Sequence, residues 1–289
     1  MPQARRFMQV DVFTRVPFLG NPLAVVLDAE GLDDARMQAI ARWTHLSETS
    51  FVLAPTHPAA DYRLRIFSPT QEFAFAGHPT LGSAHAVLES GLQPKNPGRL
   101  VQQCGVGLVT VDLPGDGSLA FQAPDARLLE WGAERRSLVD AVLGGRGRSP
   151  VAVEMGIRWL TVEMESAAAC LDACPDATAL HALCVEGGVD GIALYGRHAE
   201  GFACDYEVRT FWVEHGRLAE DPVTGSANAA IARVLQARGF AGGAGLSGGY
   251  RVRQGTRLMR DGRLTVEYVD GQPWVGGHSV TVIEGEIRA

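Results

Sequence analysis

The feature that most constrains this chain is an internal duplication. The stretch Gly77-His78-Pro79-Thr80-Leu81-Gly82-Ser83-Ala84-His85-Ala86 returns 143 residues later as Glu220-Asp221-Pro222-Val223-Thr224-Gly225-Ser226-Ala227-Asn228-Ala229, with the proline, the glycine, the serine and two alanines identical. A second pair lies at a separation of 144: Asp61-Tyr62-Arg63-Leu64-Arg65-Ile66-Phe67 and Asp205-Tyr206-Glu207-Val208-Arg209-Thr210-Phe211 share Asp, Tyr, Arg and Phe. Two copies are too few for a solenoid, which needs about three to bury a continuous core. The chain therefore reads as two related halves.

Each copy of the first motif sets a proline and a glycine before an Ala-rich run, as at the N-terminus of a helix. These runs carry almost no charge: one in Thr80–Glu89 and none in Thr224–Ile231. A helix apolar on nearly every face is a buried helix. Around it the chain reads as strands. Phe7 to Phe13 and Leu23 to Leu27 form an opening hairpin, a helix follows from Asp33 and Asp34 to Thr44, and Thr49 to Leu53 returns as a strand, leaving Glu48 in the connection. Short β runs punctuated by glycine fill 99–122. In the second half, strands are expected at Val151–Glu154, Arg158–Val162, Ala168–Asp172 and Gly191–Tyr195, with helices near Arg135–Leu143 and Ala177–Glu186. The last 40 residues read as strands closing the second sheet. The simplest packing is α+β: in each half a curled, mostly antiparallel sheet around one central helix. The halves are placed at residues 1–123 and 124–289, with the last C-terminal strand free to return to the first, and Gly144-Gly145-Arg146-Gly147-Arg148 is the linker candidate by composition.

Length and composition bound the function. At 289 residues with 46% hydrophobic, the chain suits about two domains, each with its own core. A formal charge of −7 and no run of Lys and Arg argue against nucleic acid. No apolar run approaches the roughly 20 residues of a membrane helix, and the first residues lack the apolar core of a signal peptide, so a cytoplasmic protein without a membrane partner is expected. The five cysteines form no CxxC pair and read as buried free thiols.

The helix starts carry the chemistry. A polar residue precedes each proline, His78 and Asp221, and the bland reading of Asp221 is a helix cap. Gly77, Gly82 and Gly225 leave backbone N–H groups uncovered at the positive end of the helix dipole, where an anion such as a carboxylate binds. The ionisable groups break the repeat: His78 faces Asp221, Gly77 faces Glu220, and Glu48 has no acidic counterpart near Gly191. Flanked by Ser47 and Thr49, Glu48 is on base rates a solvated loop residue; its apolar neighbours 39–43 and 51–53 would instead desolvate it and suit it to proton transfer. No Walker, Rossmann or HExxH pattern occurs, so neither nucleotide nor metal is expected, and no cofactor.

Five motifs, in order, span essentially the whole chain: Gly20-Asn21-Pro22-Leu23-Ala24-Val25, Ser47-Glu48-Thr49, Ala76-Gly77-His78-Pro79-Thr80-Leu81-Gly82, Glu220-Asp221-Pro222-Val223-Thr224-Gly225-Ser226-Ala227, and Arg253-Gln254-Gly255 with Gly276-Gly277. In these the sequence resembles the PhzF-like phenazine-biosynthesis proteins, relatives of diaminopimelate epimerase. The resemblance implies the diaminopimelate-epimerase-like fold, two pseudo-symmetric halves with the ligand in the cleft between them, and a homodimer. The epimerases of this superfamily use a cysteine at each central helix start; here Ala76 and Thr224 stand there, which excludes two-thiol racemisation. The resemblance assigns proton transfer to Glu48, orientation or protonation of substrate to His78 and Asp221, and substrate binding to Gly77, Thr224, Gly225 and Ser226, with Asn21 reaching the same cleft. The expected function is a cofactor-free isomerase that moves a proton between carbons of a small carboxylated substrate. A lyase or dehydratase, and a non-catalytic binding protein, remain open at this level.

Overall fold

A computed structural model describes residues 3–239 and 248–289. The chain divides into two compact units: Met1–Gln122 with Gly276–Ala289, and Ala123–Val275.

The first unit opens with the hairpin β1 (Ala4–Val12) and β2 (Asn21–Val26), paired antiparallel from Phe7↔Val26 to Val12↔Asn21. Helix α1 (Asp34–Thr44) crosses over to β3 (Thr49–Leu53), which lies parallel to β2; Asp33 caps the helix by accepting from the Arg36 N–H. β4 (Tyr62–Phe67) pairs antiparallel with β3, and a short return strand β5 (Glu72–Phe73) leads into the central helix α2 (Gly77–Glu89). Three strands then follow, β6 (Arg99–Cys104) parallel to β4, β7 (Gly107–Asp112) and β8 (Leu119–Gln122). The chain's last strand, Ser279–Arg288, pairs antiparallel with β1 from Ala4↔Arg288. It therefore closes the first sheet rather than the second.

The second unit repeats this order. After β9 (Arg127–Glu130) and helix α3 (Arg136–Leu143) come the antiparallel pair β10 (Arg148–Met155) and β11 (Ile157–Glu163), the helical crossover α4 (Ala167–Leu171) and α5 (Ala177–Gly187), and β12 (Gly191–Arg197) parallel to β11. Then β13 (Tyr206–Glu214), its return strand β14 (Arg217–Glu220) and the central helix α6 (Gly225–Ala237) match β4, β5 and α2. β15 (Tyr250–Gln254) lies parallel to β13 as β6 does to β4, and β16 (Gly262–Val269) and β17 (Gln272–Gly277) complete the set.

Both central helices are buried almost all round, as their charge-poor sequences require. α2 touches strands on every side of its sheet, and Gly82 is what lets it approach them: a Cβ there would stand 2.6 Å from Leu23 Cδ2 and 2.7 Å from Val12 Cγ2. In the second unit a further apolar layer, Trp131, Val139, Leu180, Leu183 and Phe211 among its members, packs between the outer helices and the sheet.

Three local expectations are corrected. Ala168–Asp172 is the short helix α4, nucleated by Ser166, whose hydroxyl accepts from the Ala169 N–H. Gly144 to Arg148 is no linker: Gly144 is the left-handed C-cap of α3, and Gly147 lies against Val162 and Leu143 inside the second unit. A helix stop draws on the same glycines as a linker, and composition does not separate them. Of the cysteines, Cys170 and Cys204 are buried but Cys174 is exposed.

Candidate functional site

The repeat that announced the two helix starts is out of structural register. α2 begins at Gly77 with Ala76 as N-cap, whereas α6 begins at Gly225 with Thr224 as N-cap, so the helices themselves are 148 residues apart. The strands before them keep the spacing of 144, and the difference is the longer β13–β14 hairpin. Pro79 consequently lies inside the first turn of α2 and Pro222 outside α6. Gly82, expected to expose its N–H, is a packing glycine in the second turn. Asp221 is not a helix cap, and neither N-cap side chain makes a capping bond. Structurally, Gly77 answers to Gly225 and His78 to Ser226.

In the first unit the start of α2 brings His78 to Glu48. His78 Nε2 lies 3.4 Å from a Glu48 carboxylate oxygen, with the imidazole 6% and the carboxylate 16% exposed. Burial pushes the His78 ring down to about 3, so it is neutral at physiological pH. The loop carrying Glu48 is held at both ends. His45 stops α1 in a left-handed conformation, and the Thr44 and Thr49 hydroxyls meet at 2.8 Å. Asn21 is fully buried at the first residue of β2, on the strand whose Ala24 pairs with Thr49. Contrary to expectation, Glu48 has an acidic counterpart by position: Asp190 precedes β12 as Glu48 precedes β3. Asp190 is exposed and accepts from the Arg158 N–H at 2.8 Å, which makes it a strand-end clamp.

In the second unit Asp221 and Thr224 are 7% and 8% exposed. The Thr224 hydroxyl donates to Asp221 Oδ2 and meets the Thr210 hydroxyl at 2.7 Å. Gly225 is buried as the first residue of α6, and Ser226 follows half-buried, its Oγ accepting from the Trp159 indole N–H at 3.0 Å. The adjoining Glu220 is locked to Arg209 through two hydrogen bonds of 2.8 Å, and Arg209 Nη1 also donates to the carbonyls of Cys170, Leu171 and Ala173. Sequence reasoning missed Thr210, Gln254, Trp159 and Arg209. Thr210, Arg209 and Gln254 stood inside motifs already noted, but nothing in their spacing tells which side chains reach the residues around a helix start.

Among the described residues no three His, Cys, Asp or Glu side chains converge as a metal site requires, and no helix is long and apolar enough to cross a membrane. A cavity of about 550 Å³ beside α1, lined by Arg5, Leu32, Asp33 and Arg36, includes none of the candidate catalytic or substrate-binding residues.

Two sheets, each rolled around a buried helix with polar groups gathered at its start, define the diaminopimelate-epimerase-like fold. The family model described as phenazine biosynthesis-like protein matches residues 10–285, and the chain belongs to that family. It is 35% identical to the Schizosaccharomyces pombe protein named Antisense-enhancing sequence 1, over 97% of both chains. It is also 35% identical to the trans-2,3-dihydro-3-hydroxyanthranilate isomerase of Pseudomonas aeruginosa, over 78% of both. Among solved structures, the Bacillus anthracis PhzF-family phenazine biosynthesis protein superposes with a TM-score of 0.82 at 24% identity, over 99% of this chain and 100% of that one.

Proposed function

We propose that the protein is an isomerase that works without a cofactor, moving a proton between carbons of a small carboxylated, cyclic or amino-acid-like substrate. The observation that carries this reading is the pairing of Glu48 with a buried, neutral His78 at 3.4 Å. Burial holds its ring down to about 3, so His78 is neutral at pH 7. The imidazole is therefore a poor store for a proton in transit, and Glu48 takes the proton from one carbon and returns it to another. His78 orients the Glu48 carboxylate or a substrate oxygen. Asp221 orients the substrate, and Asn21 and the first-turn groups Gly77, Thr224, Gly225 and Ser226 bind its polar atoms. N–H groups at a helix start stabilise both a carboxylate and the negative charge that develops as the proton leaves. Membership in a family with named isomerases supports the reaction class, and the relative's hydroxyanthranilate supports a carboxylated ring as the substrate class.

The test is isotope exchange. Turnover of a carboxylated cyclic substrate in D2O should leave product mass unchanged except for incorporated deuterium, and Glu48→Gln should abolish incorporation while the variant still binds. Wild-type incorporation by Glu48→Gln would remove Glu48 from the role.

A further inference from the structure

The interior of the second unit holds a hydrogen-bond chain whose direction can be read. Gln254, fully buried at the end of β15, has one amide atom 3.1 Å from the Thr224 backbone N–H and 3.0 Å from Asn228 Nδ2. A backbone N–H only donates, so that atom is the oxygen. The other amide atom lies 3.2 Å from the Asp221 carbonyl, which only accepts, so it is the nitrogen. Two independent partners thus fix the amide. Thr210 Oγ1, 3.2 Å away, and Thr224 Oγ1, 3.0 Å away, also lie within reach of that nitrogen, whose two hydrogens are shared among the three oxygens. Each hydroxyl has one proton. An amide nitrogen accepts nothing, so neither hydroxyl proton can be spent on Gln254; the partner left for the Thr210 proton is Thr224, and Thr224 then donates to Asp221 Oδ2.

The first unit also buries a glutamine among hydroxyl groups, at a different register. Gln102, fully buried on β6, accepts from the Tyr62 hydroxyl at 2.9 Å and donates to Thr80 Oγ1 at 3.1 Å. By sheet register Gln102, opposite Tyr62, answers to Val252, opposite Tyr206, and the N-cap of α2 is Ala76, which has no hydroxyl to carry such a chain.

We infer that Gln254 is a positioning residue: by fixing the sense of the chain Gln254 to Thr210 to Thr224 to Asp221, it commits Asp221 to receiving hydrogen bonds, so that Asp221 meets the substrate as an acceptor and not as an acid. The inference rests on the reading of Asp221 as a substrate-facing group. It narrows that reading, which left orientation and protonation both open. The neighbouring carboxylate, Glu220, is tied to Arg209 and takes no part.

Gln254→Glu keeps the shape and reverses the polarity. The second carboxylate oxygen cannot donate, the threonine hydroxyls turn toward it, and Asp221 loses the Thr224 hydrogen bond. The measurement is the pH titration of the Asp221 side-chain carboxyl carbon by NMR, assigned by its absence in Asp221→Asn. In Thr224→Val, which removes the Thr224 hydroxyl without adding charge, the midpoint should rise by about one pH unit, the scale of one charge-assisted hydrogen bond, and Thr224→Ser should restore it. Gln254→Glu should give a rise of similar size in the wild-type background and much less in the Thr224→Val background, because both substitutions break one chain. An equal rise in both backgrounds would reduce the effect to charge repulsion and overturn the inference. So would a Thr224→Val protein whose Asp221 titrates as in wild type, and this arm stands if Gln254→Glu does not fold. Turnover is measured separately: its absence in the parent protein speaks against the isomerase reading and leaves the titration result intact.

Discussion

The neutrality of His78 predicts a specific dependence of stability on pH. The ring is buried beside Glu48, and burial depresses it from 6.5 to about 3. Between those values the unfolded chain binds a proton that the folded chain does not, so stability rises with pH across this window and is lost as pH falls through it. The loss begins below about pH 6.5 and levels off near the depressed value. The full separation corresponds to about 5 kcal/mol, and about 2 kcal/mol is already lost at about pH 5. Other groups titrate in the same range, so the contribution is isolated by comparison with His78→Gln, which keeps a side-chain donor but cannot charge. Urea denaturation at about pH 7 and about pH 5 should show the wild type losing about 2 kcal/mol more than the variant. The His78 ring resonances should not titrate above about pH 4. Equal losses in the two proteins, or a ring titrating near its ordinary value, would refute a buried neutral imidazole and with it the argument that Glu48 carries the proton alone.

Three further outcomes are expected. Gly82→Ala should destabilise the first unit by about 1–3 kcal/mol, read as a lower urea midpoint, because the new methyl meets Leu23 and Val12 in a close-packed interior. Trp159→Phe removes the indole donor that holds Ser226; if Ser226 binds the substrate carboxylate, KM should rise several-fold with kcat little changed, a net hydrogen bond being about 1 kcal/mol. Arg209→Met leaves Glu220 buried without its partner and should cost about 3–5 kcal/mol, whereas Arg209→Met with Glu220→Gln should recover part of it in the same denaturation assay.

The sequence made the two-fold design legible, and in particular the paired strands that follow Asp61 and Asp205. Both aspartates do the same work: Asp61 accepts from the Val101 N–H and Asp205 from the Arg251 N–H, tying each strand to its parallel neighbour. The charge-poor helices were equally plain, because a helix surrounded by its own sheet must be apolar on every face. The helix starts were legible as a region but not in their register. Pro79 and Pro222 match in sequence yet fall on opposite sides of a helix boundary, because a hairpin of different length intervenes and identity at a fixed offset cannot report it.

What the sequence by itself determined about this protein is its family, its fold and the set of polar groups available at two helix starts, since these follow from local pattern and from motifs that survive in order. Tertiary structure alone decided which of those groups meet: Glu48 with His78 across a helix and a loop, Asp221 with Thr224, Thr210 and Gln254 across a turn and two strands. It also decided their states. Neutrality of an imidazole and the sense of a hydroxyl's hydrogen bond depend on burial and on neighbours distant in the chain, and neither is written in any window of sequence.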